Sequence, residues 1–109
     1  MKDYFFEVWK KLFYSPYFFT IAIRKKQNRN LLEDTSFRAE FVMPASKDTW
    51  YADPILAEHD GKTFLFYEAV NHDHGRIEVA EVLEDCTLGE STVVLEDDCH
   101  YSYPFVFHW

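Results

Sequence analysis

At 109 residues the chain is one small domain or a piece of a larger protein, with enough apolar content for a core. Aromatic side chains make up 19% of it, more than a minimal core needs, which asks for a large core, a subunit interface or a stacking surface. The net charge of -8 is unevenly spread: residues 1–30 carry seven Lys/Arg against two acids, residues 31–109 four against seventeen, and so acidic a body speaks against a nucleic-acid groove.

Taken in order, residues 3–14 have a helical rhythm, with Phe5, Trp9, Leu12 and Phe13 recurring at three and four. Asp3 is placed to cap the start, and Ser15-Pro16 ends the element. The spacing predicts a short helix packing on the next unit. Leu12–Ile23 is too short to span a bilayer and is interrupted by Ser15 and Pro16. It is aromatic and lacks a small-residue cleavage site, so it reads as no export signal, and the chain as soluble and cytoplasmic. Residues 18–24 read as a strand on the branched Thr20, Ile21 and Ile23. Arg24, Lys25, Lys26 and Arg29 lack interleaved aromatics and read as a solvated strand end. Residues 27–36 form a polar loop, 37–42 a short extended piece, and 44–49 a second loop.

The best-marked stretch is Trp50–Glu68. Asp60-Gly61 lies between two apolar runs, 55–58 and 63–68, a strong hairpin signal because glycine accepts positive φ and aspartate tolerates it. Just before it, Pro54 fixes its own φ and pushes Asp53 out of the helical region. Asp53 is thus an acid on a stiff stretch at the mouth of a strand. A polar turn at 71–75 leads to a strand at 76–83, whose alternation slips at Val79-Ala80. A loop at 84–90 precedes a fourth strand at 91–95, and Tyr103–Phe107 opens a fifth.

Four consecutive strands joined by short turns make one up-and-down sheet, the form of a propeller blade. The opening of the pattern also recurs: Ala52-Asp53-Pro54-Ile55-Leu56 is echoed fifty residues later by Ser102-Tyr103-Pro104-Phe105-Val106, a period in the propeller range. The expected fold is therefore all-β, a partial five-bladed β-propeller. One four-stranded blade would span 55–95, with a strand before it at 18–24 and the next blade starting at 103–109, behind the N-terminal helix. A small sandwich is the competing arrangement. Trp109 falls inside an apolar run, which predicts either missing C-terminal blades or a homo-oligomer.

Four stretches carry a resemblance. They are Trp50-Tyr51-Ala52-Asp53-Pro54, Glu58–Glu68, Gly75-Arg76-Ile77-Glu78-Val79-Ala80 and Tyr101–Phe107. Together they resemble a five-bladed propeller family that includes the N-terminal domain of glucosamine inositolphosphorylceramide transferases. More distantly the chain looks like the arabinanase and β-xylosidase class, glycoside hydrolase family 43. The likeness runs from about residue 17 onward. It implies a carbohydrate-active module acting on an oligosaccharide or glycoconjugate. In the glycosidase relatives the aspartate of an early Asp-Pro motif is the general base, and the matching residue is Asp53. An inverting glycosidase also needs a carboxylic acid roughly 6.5–9.5 Å away to protonate the leaving oxygen. In the relatives that acid, and a third acidic residue that tunes it, come from later blades; where the next motif falls here, Tyr103 replaces the aspartate.

The residues leave two classes open: a glycosidase-like module with Asp53 as base, inactive alone, and a non-catalytic glycan-binding or assembly module of the same fold. Asp53 has a plainer reading as a turn aspartate bonding local amides. Glu68 is a candidate channel-lining acid or a solvated strand end. Trp50, Tyr51, Tyr101 and Tyr103 are candidate sugar-stacking faces, at least one of which packs between sheets instead. His59, His72, His74 and His100 with Asp73 lack metal-site spacing, and no phosphate loop or nucleophile motif occurs, so no cofactor is expected. Two cysteines, Cys86 and Cys99, exclude a dense disulfide scaffold and leave their own pairing open.

Overall fold

The structure, a computed structural model, describes residues 19–26, 38–72 and 74–107. The expected helix at 3–14 and the terminal Trp109 lie outside these residues. Among the described residues every regular element is a strand, and there is no helix, hence none long and apolar enough to cross a membrane.

Strands β1 (Ala22–Ile23) and β2 (Phe41–Val42) form a two-stranded antiparallel sheet. Strands β3 (Thr49–His59), β4 (Lys62–Asn71), β5 (His74–Val82) and β6 (Thr92–Leu95) form a second sheet in sequential antiparallel order. Most ends shift from the expected ones for local reasons. β3 starts six residues early, at Thr49 rather than Ile55. The Ser46 hydroxyl accepts the Asp48 and Thr49 amides, and the Ser46 amide bonds the Thr49 carbonyl, so the loop is already turned there. Asp60 and Gly61 both have positive φ, 50° and 74°, as a mirror-image two-residue turn requires. The strand expected at 18–24 is reduced to Ala22–Ile23. Tyr103–Phe107 is not a strand, because none of the described residues pairs with it.

The break in β3 explains the poor alternation there. Ala52 pairs with Glu68 but Ile55 pairs with Phe66, so β3 spends one residue more than β4 between the two pairs. This is a β-bulge, and Pro54, with no N–H to give a ladder, suits it. The extra residue switches the strand's parity. Trp50 and Ala52 before it, and Ile55 and Ala57 after it, share one face of the sheet with Val70, Glu68, Phe66 and Phe64. Asp53 has a φ of 51°, in the left-handed region and not the extended one expected before proline. Aspartate is among the few residues that adopt it readily.

The two faces of the large sheet have different fates. One is covered by the small sheet. Ile21 and Met43 pack there on Leu65, Tyr67, Ala69 and Ala80, with Ile23, Phe41, Tyr51, Val82 and Leu88 around them. The Thr20 hydroxyl bonds the Met43 carbonyl at 2.6 Å and ties the cover together. Tyr67, fully buried, gives its one hydrogen to Glu78 at 3.0 Å and so receives that of Ser91 at 2.5 Å. Arg76 bonds the other Glu78 oxygen at 2.7 Å. The opposite face carries Ala57, Phe64, Phe66, Val79 and Val94, which line an open trough of about 360 Å³ with Val106 and Phe107. Because Ile77, Glu78 and Ala80 are all buried, β5 is enclosed on both faces, which is why its sequence shows no clean period.

The sequence echo is also a backbone echo. Tyr103 has a φ of 54°, against 51° at Asp53. The Tyr51 amide donates to Phe19 just before β1, and the Tyr101 amide donates to Gly75 in β5. So the chain enters 103–107 as it enters 53–57: two residues after a bond to the preceding sheet, through a left-handed residue, into a proline.

Candidate functional site

Above the bulge lies a cleft of about 510 Å³. Its walls are Phe19–Ala22, Trp50–Pro54, Glu68 and Tyr103. Four of the expected site residues, Trp50, Tyr51, Asp53 and Glu68, come from the adjacent strands β3 and β4, and Tyr103 is brought over from the C-terminal segment. Tyr101 does not line the cleft. Its hydroxyl bonds Asp97 at 2.6 Å on the outer surface. That bond raises the Tyr101 hydroxyl above its ordinary value and helps hold Asp97 below its own.

The aromatics divide by role. Tyr51 packs edge-on against Tyr67, centroids 5.8 Å apart, and belongs partly to the core. Trp50 tilts against Phe19 at 5.7 Å. Tyr103 is the free face, 79% exposed. Its positive φ is rare for a bulky residue and stores local strain of roughly 1–3 kcal/mol.

Asp53 is not the local turn aspartate of the plainer reading. Its Oδ2 accepts the Tyr103 amide, fifty residues away in sequence, at 3.3 Å. Glu68 is not a solvated strand end either; it is 4% exposed, in the middle of β4, opposite the small Ala52. Burial pushes its carboxyl above the ordinary range. The His100 bond opposes that shift, and a hydrogen bond with Asp53 adds to it.

His100 is the residue that sequence reading missed, having appeared only among metal candidates. Its Nδ1 accepts the Gly75 amide at 3.2 Å, which leaves the hydrogen on Nε2 to be donated to Glu68 Oε1 at 2.8 Å. Nothing in the spacing of residues 68, 75 and 100 signals this. Among the described residues there is no cluster of three or more His, Cys, Asp or Glu side chains able to hold a metal ion. Cys86 is buried, Cys99 exposed, and both are free thiols.

Compared with protein-family models, with curated proteins and with solved structures, the chain matches none. What the site can do therefore rests on its chemistry: an acceptor carboxylate at a strained bulge, a buried partner acid behind it, and exposed aromatic surface beside it.

Proposed function

We propose that this chain is a carbohydrate-binding module of propeller-blade type whose cleft takes a neutral oligosaccharide, with Asp53 accepting sugar hydroxyls. The observation that carries the reading is the placement of Asp53. Its carboxylate lines a cleft of about 510 Å³ with Trp50 on one side and the exposed Tyr103 on another. A carboxylate acceptor beside aromatic faces suits a ligand with hydroxyl edges and apolar ring faces. The blade-type reading is supported by the repeated left-handed residue before proline and by the matched Tyr51 and Tyr101 amide bonds.

Binding is favoured over hydrolysis by the placement of Glu68. Glycosidase carboxyl pairs stand about 5–9.5 Å apart, with room for a sugar or a water between them. Glu68 pairs with Ala52, the residue next to Asp53, and is buried with His100 on its carboxyl, so it does not stand across the cleft as the acid of such a pair. In a glycosidase-like assembly Asp53 would act as the base only if another element supplied that acid across the cleft.

The test is calorimetric titration with xylo- and arabino-oligosaccharides beside an aryl-glycoside assay. We expect binding without turnover, and a loss of about tenfold or more in affinity in Asp53→Asn, which removes an ionised acceptor. Absence of binding to every neutral oligosaccharide, or affinity indifferent to Asp53→Asn, refutes the reading. Turnover that survives Asp53→Asn removes Asp53 as base.

A further inference from the structure

The His100 ring lies closer to the sheet than any residue but glycine at position 75 allows. A Cβ added to Gly75 would fall 2.5 Å from Nε2 and 2.8 Å from Cδ2 and Cε1. The φ of Gly75 is not in the left-handed region, so its backbone does not demand glycine; the contact with His100 does. The neighbouring Tyr101 amide bonds the Gly75 carbonyl at 2.9 Å, and the Tyr103 amide reaches Asp53. The segment 100–103 is thus fastened to the site at three successive points, and His100 is the one that reaches the buried acid.

We propose that His100, laid flat on Gly75, is the positioning residue of this cleft: its bond to Oε1 holds the buried Glu68 carboxyl in the cleft wall beside Asp53. The geometry sets the order. Glu68 is buried, with His100 on Oε1; Asp53 is at the cleft wall and accepts the Tyr103 amide. Hydrogen bonds then run one way, from the Gly75 amide to His100 and from His100 to Glu68. The inference rests on the cleft being the ligand site. The ionisable groups acting on Glu68 are His100 and Asp53 on β3.

The test separates the two ideas. Carboxyl titrations of Asp53 and Glu68 are followed by carbon NMR without ligand, in the native chain, His100→Ala, His100→Gln and Gly75→Ala. Loss of the His100 donor should move the Glu68 midpoint up by about one pH unit. His100→Gln, which retains an N–H donor, should stay near the native midpoint. Gly75→Ala leaves the imidazole in the chain but forces it off the sheet, and should behave like His100→Ala. Xylotetraose affinity should fall about tenfold in the same two variants. Unchanged carboxyl midpoints in both His100→Ala and Gly75→Ala overturn the assignment even if oligosaccharide binds. Shifted midpoints in a chain that binds no oligosaccharide keep His100 as the positioning residue and refute only the glycan reading.

Discussion

Replacing Tyr67 with phenylalanine tests how the large sheet is held together. The hydroxyl sits in a fully buried side chain and links three elements: β4 that bears it, β5 through Glu78, and the loop before β6 through Ser91. Removing it keeps the ring and its edge contact with Tyr51, so the packing term is nearly unchanged. What is lost is the bond to a buried carboxylate, worth roughly 1.5–3 kcal/mol, together with the Ser91 bond of about 1 kcal/mol. Glu78 retains Arg76 on its other oxygen, which keeps its charge paired and places the expected cost near the lower end, about 2 kcal/mol.

The same hydroxyl supplies a pH signature. Burial, with the Glu78 charge beside it, pushes Tyr67 up from 10.0 to about 12. The folded chain thus keeps a proton that the unfolded chain releases over this range. The stabilisation is fully present below pH 10 and is lost as pH rises through about 12, at roughly 2–3 kcal/mol in all. Urea unfolding followed by tryptophan fluorescence, at neutral pH and in steps through the alkaline range, reads both effects. Tyr67→Phe should be less stable by about 2 kcal/mol at neutral pH and should lack most of the alkaline slope. Tyr101, also raised, contributes to the slope of both proteins and cancels in the difference. A variant within about 0.5 kcal/mol of native stability, with the native alkaline slope, would refute the bonding scheme.

Two further outcomes follow from the site and the open face. Because the Glu68 carboxyl is raised, the folded state binds more protons than the unfolded one from the ordinary value of 4.5 upward, so stability falls as pH rises through that window; Glu68→Gln should remove this fall, seen as a flatter pH dependence of the urea midpoint. Asp85 and Asp97 are lowered and act in the opposite sense, so the comparison is between variant and native chain. The trough edged by Phe107, 69% exposed, and Val94, 49% exposed, should drive self-association at high concentration; sedimentation should show Val94→Lys with Phe107→Lys more monomeric, and a native chain already monodisperse as a monomer would contradict it.

The large sheet was legible where local chemistry decides the backbone. Asp60-Gly61 set the first turn, and β3 to β5 follow the expected order because two-residue connections leave few alternatives. The ends of β3 were not legible, since they depend on Ser46 turning the loop early and on the parity switch at Asp53-Pro54, which disguises one strand as an approach and a shorter strand. Of the site, the aromatic and acidic lining could be named because the residue types stand out near a proline. The burial of Glu68 and the role of His100 could not, because both are made by partners far along the chain: Ala52 and Asp53 in front, Gly75 beneath.

The bulge joins these two levels. Without the extra residue in β3, Ile55 and Ala57 would turn to the opposite face of the sheet from Phe66 and Phe64, and the apolar trough would lose one of its sides. With it, Asp53 is lifted out of the ladder in a conformation that aspartate tolerates and most residues resist, free to meet Glu68 and the Tyr103 amide. One inserted residue therefore repairs the hydrophobic phase and releases a carboxylate at the same point. At Tyr103 the same backbone geometry recurs with a residue poorly suited to it. The backbone there is held by its amide bond to Asp53, while the ring stays exposed beside the cleft. A strained residue kept at a wall of the cleft, tied to the acid that lines it, fits the ligand-facing role proposed for this cleft.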